Sequence, residues 1–305
     1  MTHLVPDPFA VALADTEPVG IDVGAPYAVT GAEWLRRLPR LLGGLLEEWE
    51  LSVDGPTRWG SGAVALSVVG RDGPAVLKVT WPHFEAQTEH LALRHWDGRG
   101  AARLLRADPR RFALLLERLD GTTDLTGVPI DEACEVIGAL LAQLASPAIP
   151  RTPTLSAYAA RQLAAETPEP GAVPRRFVDQ ARHLAADLAT DRAVDSRLLH
   201  TDLHYSNVLG ASRQPWLAID PKPMAGDPAF EIAPALWNRP DELGTGSALR
   251  RSLRRRLAIL CERAGIDEDR ARGWTIVREV DNATTPATGP DRVSLAVAII
   301  KAMND

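Results

Sequence analysis

Cysteine and lysine are both scarce in this sequence of 305 residues. The two cysteines, Cys134 and Cys261, lie in apolar stretches with a helical pattern. A disulfide framework or a zinc site is therefore not expected, and a reducing cytoplasm fits. The lysines are Lys78, Lys222 and Lys301, whereas arginine is abundant. Because arginine supplies most of the positive charge of this chain, a lysine at a given position is a candidate for a specific role.

Long apolar runs and basic blocks are missing as well. No stretch of about 18 apolar residues occurs, and residues 1–20 lack a basic region followed by an apolar one. The net charge is −6, and the densest basic group, Arg251 and Arg254–Arg256, interleaves with leucines at helical spacing. That spacing indicates a solvated helix face. Nucleic acid and membranes are therefore not expected partners, a cytoplasmic location is expected, and the oligomeric state is left open.

The residue pattern changes from mixed to mainly helical along the chain. β-prone runs at 63–69, 76–81 and 114–119 alternate with helical patterns at 32–49 and 84–97. Residues 57–62 look like a loop of small residues. After residue 130 helical periodicity dominates, interrupted by a β-prone pair at 208–209 and 216–219. This order predicts an α+β protein with a small β-rich N-terminal lobe (1–116), a hinge (117–121) and a larger α-rich C-terminal lobe (122–305).

Residues 200–207, His-Thr-Asp-Leu-His-Tyr-Ser-Asn, are the most informative stretch. They match the His-x-Asp-Leu-x-x-x-Asn catalytic loop of protein-kinase-like enzymes. Asp220 follows Asn207 by 13 positions, at the end of an apolar β-prone run. Phosphoryl transfer needs a carboxylate to accept the hydroxyl proton, here Asp202, and an amide and a second carboxylate to hold Mg²⁺. The alternative is a buried polar turn with a structural salt bridge.

Lys78 lies in an otherwise apolar strand, where a cation is costly unless it is paired. Glu89 lies among apolar residues on one side of the predicted helix 84–97 and is the expected partner of Lys78, with Glu85 as the second choice. The alternative for Lys78 is the wet face of an edge strand. Upstream, the turn containing Gly60 and Gly62 can bring backbone amides close to phosphates; an ordinary hairpin turn explains these glycines equally well.

The strand at 114–119 falls where a kinase hinge is expected. Its backbone can pair with adenine, which makes Glu117 and Leu119 candidate nucleotide-binding residues, although an ordinary core strand fits as well. Asp227 precedes a helix-like segment. It is either a helix N-cap or a brace for the catalytic loop.

Several of these motifs together resemble the aminoglycoside and hydroxyurea phosphotransferase family, which includes the streptomycin 6-kinases. They are Leu-His-Thr-Asp-Leu-His at 199–204, Trp-Leu-Ala-Ile-Asp-Pro-Lys at 216–222 and Gly-Asp-Pro at 226–228. Residues 89–100, ending Trp-Asp-Gly-Arg-Gly, and 115–119, Leu-Leu-Glu-Arg-Leu, look similar too.

The resemblance implies a bilobal protein-kinase-like fold that uses ATP and Mg²⁺ to phosphorylate a hydroxyl of an aminoglycoside such as streptomycin, or of a related antibiotic. Asp202 would be the base, and Asn207 and Asp220 the Mg²⁺ ligands. Lys78 would hold the ATP phosphates and Glu89 would position Lys78.

Two features depart from related patterns. Asp-Pro-Lys replaces the Asp-Phe-Gly of protein kinases, and residues 281–288 look irregular where a helix bearing tryptophan is expected. The substrate is therefore open: a sugar or metabolite kinase, or a non-catalytic kinase-fold binding protein, are the alternatives. Acidic side chains would favour a cationic substrate, and the candidates are Glu231, Asp241, Glu242 and Asp281.

Overall fold

The computed structural model describes residues 4–164, 173–285 and 288–304. The chain divides into two compact units, Met1–Leu119 and Asp120–Asp305. The division falls inside segment 117–121, whose role as a hinge stays a prediction. Within the described residues, no helix is both long enough and apolar enough to span a membrane.

An antiparallel sheet of five strands forms the centre of the first unit, in the order β1-β2-β3-β5-β4. The strands are β1 (Ser52–Trp59), β2 (Ala63–Gly70), β3 (Gly73–Thr80), β4 (Leu104–Asp108) and β5 (Ala113–Glu117). The helices are α1 (Asp7–Ala14), α2 (Gly31–Glu48) and α3 (Glu89–Trp96). This unit is the β-rich half that the sequence predicted.

Helix α2 covers the sheet with one apolar face. Thr30 caps its first turn by accepting a hydrogen bond from the Glu33 N–H at 3.1 Å. Leu38 and Leu42 then recur at helical spacing and belong to the same buried core as Leu66 of β2. Pro39 lies inside α2, and the helix is assigned without a break from Gly31 to Glu48.

Two strands of this sheet were missed by the sequence pattern. Residues 57–59, expected in a loop, belong to β1, and β4 was not expected at all. Both are edge strands. The strand β1 contains Gly55 and Pro56, is largely exposed, and shifts register between Val53 and Thr57. Prolines and irregularities of this kind are tolerated at sheet edges, where they hide the strand from hydropathy patterns.

The second unit is mainly helical, as predicted. Its helices are α4 (Ile130–Leu144), α5 (Leu155–Ala164), α6 (Arg175–Leu188), α7 (Ala233–Trp237), α8 (Gly246–Ala264), α9 (Glu268–Thr284) and α10 (Pro290–Asn304). Its short strands are β6 (Asp120–Asp124), β7 (Ser146–Pro147), β8 (Arg197–Leu199), β9 (Val208–Gly210), β10 (Trp216–Ala218) and β11 (Met224–Gly226). They form two small sheets, in the orders β10-β9-β6 and β11-β8-β7. The α+β fold class is therefore confirmed.

Two expectations for the second unit need correction. The segment expected to be irregular from Asp281 onwards is still helical as far as Thr284, and its residues 286–287 lie outside the described part. The basic face of α8 is not wholly solvated either. Arg256 is buried and donates to the carbonyl oxygens of Asn238 and Arg239 at 2.8 and 3.1 Å.

Candidate active site

Lys78 and Glu89 form a buried ion pair in the first unit. The ammonium nitrogen of Lys78 lies 2.6 Å from Glu89 Oε1, and both side chains are at most one-tenth exposed. Lys78 sits on β3 between Ala65 of β2 and Leu114 of β5, while Glu89 opens α3. The predicted pairing with Glu89 is present, and the wet edge-strand alternative for Lys78 is wrong because β3 is a central strand.

We expect Glu89→Gln to destabilise the fold, because it removes the carboxylate from a buried ammonium group. Breaking a buried pair on one side typically lowers the free energy of unfolding by about 3–5 kcal/mol. Replacing both partners in Lys78→Met/Glu89→Leu should restore most of that loss, since no charge is then left in the core. Urea denaturation of the three proteins measures this. A Glu89→Gln protein as stable as the parent would contradict it.

The other predicted nucleotide-binding residues of this unit are placed as follows. Gly60 and Gly62 form the β1–β2 hairpin turn, where a Cβ atom would meet no atom within 4 Å. Glu117 ends β5, and its backbone N–H and side chain both bind the backbone of Arg103, at 3.0 and 2.7 Å. Leu119 is partly buried at the end of the unit. The Glu117 N–H is thus already bonded within the first unit, to the residue that precedes β4.

The predicted catalytic loop, residues 200–207, runs from the end of β8 to the start of β9. Its shape is fixed by the amide of Asn207, whose nitrogen donates to the Asp202 carbonyl oxygen at 2.9 Å. This orientation leaves the Asn207 Oδ1 to accept a hydrogen bond or to bind a cation. The backbone of Asn207 also accepts from the Ile219 N–H at 2.9 Å. The antiparallel pair β9–β10 therefore brings Asp220 next to Asn207, as the sequence predicted.

His200 connects the loop to the segment that carries Asp220. It is fully buried, its Nε2 lies 3.0 Å from the Ile219 carbonyl oxygen, and its Nδ1 lies 3.3 Å from the Asp202 N–H. Burial lowers the pKa of His200 to about 4, so the ring is neutral at pH 7. A neutral ring with its proton on Nε2 satisfies both contacts, because Nε2 donates and Nδ1 accepts.

Thr201 adopts a left-handed backbone conformation (φ 59°), which is strained for a β-branched residue. Three contacts hold it. Its N–H donates to Glu231 Oε1 at 2.7 Å, its carbonyl oxygen accepts from Arg278 Nη2 at 2.9 Å, and its hydroxyl donates to the Lys222 carbonyl oxygen at 2.6 Å. These contacts determine the direction in which the chain enters Asp202. Sequence reasoning did not assign this role to Glu231 or Arg278.

Glu231 is a buried carboxyl group with a raised pKa. Burial raises its pKa from 4.5 to about 7, although hydrogen bonds from the Thr201 and His200 backbones oppose the shift. Because the folded state holds the proton more tightly than the unfolded chain, this group contributes stability below pH 4.5. That contribution is lost as the pH rises through about 7.

We therefore expect the stability difference between Glu231→Gln and the parent to depend on pH. The glutamine does not titrate, and its carbonyl oxygen still accepts from Thr201. As the pH rises from 4.5 to above 7, the free energy of unfolding of the variant should increase relative to that of the parent by on the order of 3 kcal/mol. Urea denaturation of both proteins at pH 5, 6, 7 and 8 measures the trend. A constant difference across this range would contradict it.

Asp227 has the N-cap role that the sequence allowed, while its role as a brace for the catalytic loop stays a prediction. It caps the following 3-10 turn through the Ala229 N–H at 3.0 Å. Its Oδ2 also accepts from Arg270 Nε at 2.9 Å and from Trp274 Nε1 at 3.0 Å, both on α9. Helix α9 covers the first residues of the segment 281–288 and carries a buried tryptophan further upstream, at position 274.

The four candidate acids for a cationic substrate are placed differently from one another. Glu231 is buried against Thr201, and Glu242 pairs with Arg239 at 2.6 Å. Asp281 accepts a hydrogen bond from the Tyr158 hydroxyl at 2.8 Å, whereas Asp241 is exposed. The structure therefore gives Glu231 a supporting role for the loop instead of a place at the surface.

The donor chemistry fits a magnesium ion. Among the described residues, no group of three or more His, Cys, Asp or Glu side chains could hold a metal ion by itself. Mg²⁺ rarely uses such cages; it keeps several waters and takes one or two carboxylates together with substrate phosphates. Asp220 has a carboxylate and Asn207 an amide oxygen, which are ligand types of this kind, and the bond from the Ile219 N–H to the Asn207 carbonyl oxygen brings the two residues close in the backbone.

The fold and this site define a kinase-like protein, and comparison with solved structures agrees. The aminoglycoside phosphotransferase APH(4)-Ia has a TM-score of 0.59 and 18% identity, covering 87% of this chain and 99% of that one. Choline kinase LicA from Streptococcus pneumoniae has a TM-score of 0.53 and 14% identity, covering 88% and 99%. At these identities the likeness shows the fold alone.

Sequence comparison identifies the family. Residues 48–288 match the sequence model of the aminoglycoside/hydroxyurea antibiotic resistance kinases. The streptomycin 6-kinase of Streptomyces glaucescens is 38% identical over 296 residues, covering 93% of this chain and 96% of the relative. The hydroxyurea phosphotransferase of Kitasatospora aureofaciens is 41% identical over 263 residues, covering 83% and 74%. The chain belongs to the aminoglycoside/hydroxyurea antibiotic resistance kinase family.

Proposed function

We propose that this protein is an ATP- and Mg²⁺-dependent O-phosphotransferase that acts on a hydroxyl group of an aminoglycoside. The observation that carries the proposal is the hydrogen-bonded unit around His200, which joins the backbones of Asp202 and Ile219 while Asn207 bonds to both of them. These contacts support a site in which Asp202 accepts a proton and in which Asp220 and Asn207 supply a carboxylate and an amide oxygen to a metal ion. Phosphoryl transfer to a hydroxyl requires this division of labour.

Each residue then has a definite task. Asp202 orients the acceptor hydroxyl and takes its proton as the new oxygen–phosphorus bond forms and the bond from the γ-phosphorus to ADP breaks. Asn207 and Asp220 hold Mg²⁺, which neutralises charge on the phosphates. Lys78 binds the phosphates of ATP, and Glu89 keeps its ammonium group in place. The turn containing Gly60 and Gly62 lets backbone amides approach the nucleotide.

The acceptor follows from the relatives. Two streptomycin 6-kinases, from Streptomyces glaucescens and Streptomyces griseus, are each 38% identical over most of this chain. Streptomycin is cationic, and the chain has a net charge of −6, which suits such a ligand. A second candidate is hydroxyurea, because a hydroxyurea phosphotransferase is 41% identical over 83% of the chain.

A panel of acceptors tests the proposal. Purified protein with ATP and Mg²⁺ is incubated with streptomycin, other aminoglycosides, hydroxyurea and simple amino sugars, and ADP release is followed together with the product by ³¹P NMR. We expect a phosphate-ester signal with streptomycin. Turnover with hydroxyurea alone would favour the second candidate. Nucleotide binding without turnover on any acceptor would contradict the aminoglycoside assignment, and absence of both would favour a non-catalytic binding protein.

Three further expectations belong to this proposal: a hinge, its contacts to adenine and a cytoplasmic location. Segment 117–121 acts as the hinge between an N-terminal lobe (1–116) and a C-terminal lobe (122–305), and Glu117 and Leu119 offer backbone groups to adenine. The protein works in the cytoplasm, where ATP is available and its two buried thiols stay reduced.

A further inference from the structure

Lys222 places a cation on the side chain proposed as the catalytic base. Its Nζ lies 3.1 Å from Asp202 Oδ2. The backbone around it is fixed at both ends: the Lys222 N–H donates to the His200 carbonyl oxygen at 2.9 Å, and its own carbonyl accepts from Thr201 at 2.6 Å. The lysine is thus attached to the two residues that precede Asp202 in the loop.

Stability alone does not account for this pair. The Lys222 side chain is 37% exposed and that of Asp202 is 18% exposed, and ion pairs at such positions contribute little to folding. The chain nevertheless uses one of its few lysines here instead of arginine. A lysine ammonium is a compact point charge that can engage a single oxygen, whereas the arginine fork tends to bind both oxygens of a carboxylate.

The two oxygens of Asp202 have different neighbours. Lys222 contacts Oδ2 at 3.1 Å, while His204 Nε2 lies 3.9 Å from Oδ1, which is too far for a hydrogen bond. Burial lowers the pKa of His204, which favours the neutral ring. A hydrogen-bonding acceptor hydroxyl can therefore approach Oδ1 while Oδ2 is held.

We propose that Lys222 is the positioning residue for Asp202: its ammonium group holds Oδ2 so that Oδ1 faces the acceptor hydroxyl. This inference rests on the proposed function. In the transfer step the hydroxyl proton passes to Asp202 Oδ1, the hydroxyl oxygen bonds to the transferred phosphorus, and the phosphorus–oxygen bond to ADP breaks. Lys222 keeps its protons throughout. It acts through Asp202 and not on the nucleotide.

A double-mutant cycle tests this role. Lys222→Met should lower kcat about 100-fold, the size of effect expected when a catalytic group is misplaced by about 1 Å, with KM for ATP nearly unchanged. In the Asp202→Asn background the same change should alter kcat less than about twofold, because the group it positions is gone. Lys301→Met, on the exposed face of α10, is the control and should match the parent.

Two outcomes of the cycle would overturn the proposal. Parental kcat in Lys222→Met would remove the role altogether, and a 100-fold loss in both backgrounds would show that Lys222 acts independently of Asp202. Rescue guards against a folding defect. Lys222→Cys alkylated with 2-bromoethylamine regains an ammonium group, and both native cysteines are buried. The alkylated protein should recover activity; failure to recover it while folded would also count against the proposal.

The ion pair can be tested without turnover. Reductive ¹³C-methylation of this lysine-poor chain gives few NMR signals, and the Lys222 signal is the one lost in Lys222→Arg. We expect that signal to shift in Asp202→Asn and to stay unchanged in Asp187→Asn, an exposed acid on α6. If the parent protein phosphorylates no acceptor, the proposed function fails, but this measurement still tests whether Lys222 and Asp202 form an ion pair. An unshifted Lys222 signal in Asp202→Asn would overturn the proposed positioning role of Lys222.

Discussion

Asp202→Asn is expected to lower kcat by about 10²–10⁴-fold, the usual contribution of a general base, while leaving affinity for ATP nearly intact. The amide keeps the shape of the side chain but cannot accept the hydroxyl proton. The contacts that shape the loop run through the Asp202 backbone, namely its carbonyl oxygen to Asn207 and its N–H to His200. The substitution should therefore leave the metal-binding part of the loop in place, and the loss should appear in kcat and not in KM.

The measurement is steady-state ADP release with the best acceptor, together with calorimetric titration of a non-hydrolysable ATP analogue. Asp187→Asn is the matched control, because it makes the same chemical change at an exposed position of α6. Parental kcat in Asp202→Asn would refute the assignment of the base. A parallel loss of nucleotide affinity would instead indicate that Asp202 belongs to the phosphate or metal site.

Local patterns in the sequence were sufficient to locate the centre of the candidate site. The spacing of Asp202, Asn207 and Asp220 requires only a loop followed by a short antiparallel pair, and β9–β10 supplies it. The partner of Lys78 followed from burial, because a cation in an apolar strand needs a carboxylate on a neighbouring apolar face. Both inferences use residues that lie close together in the chain.

The supports of the loop could not be predicted in this way, because they come from distant parts of the chain. Glu231 and Arg278 bind Thr201 across sequence separations of 30 and 77 residues. Glu231 is buried, and the Arg278 guanidinium lies over the rings of Phe230 and Trp237. A polar group in apolar surroundings is unusual, but the sequence does not name its partner. The left-handed conformation of Thr201 is likewise hidden in sequence, since threonine rarely adopts it.

The edge strands were also missed by the sequence pattern, because their positions depend on neighbouring strands. The strand β1 is exposed along most of its length, so no alternation of apolar and polar residues marks it. Its pairing is decided by β2, whose inward residues Val64, Leu66 and Val68 are fully buried. An edge strand of this kind is defined by its neighbour, and a single-sequence pattern does not contain that information.

Asp220→Asn is expected to weaken Mg²⁺-dependent nucleotide binding by at least about 10–100-fold, since changes to outer-shell groups alone cost that much in metal affinity. Asparagine is the right replacement here. Asp220 has a left-handed backbone (φ 57°), which asparagine tolerates, whereas alanine would add strain to the loss of the ligand. The variant thus separates the missing charge from a distorted loop.

Calorimetric titration of the ATP analogue at several Mg²⁺ concentrations measures the effect. In the parent, affinity should rise with Mg²⁺; in Asp220→Asn the rise should be small, and affinity without Mg²⁺ should match the parent. Asp220→Ala should show the same loss together with a lower melting temperature. If the Asn variant follows the parental Mg²⁺ dependence, Asp220 is not a metal ligand, and its place beside Asn207 must serve the loop alone.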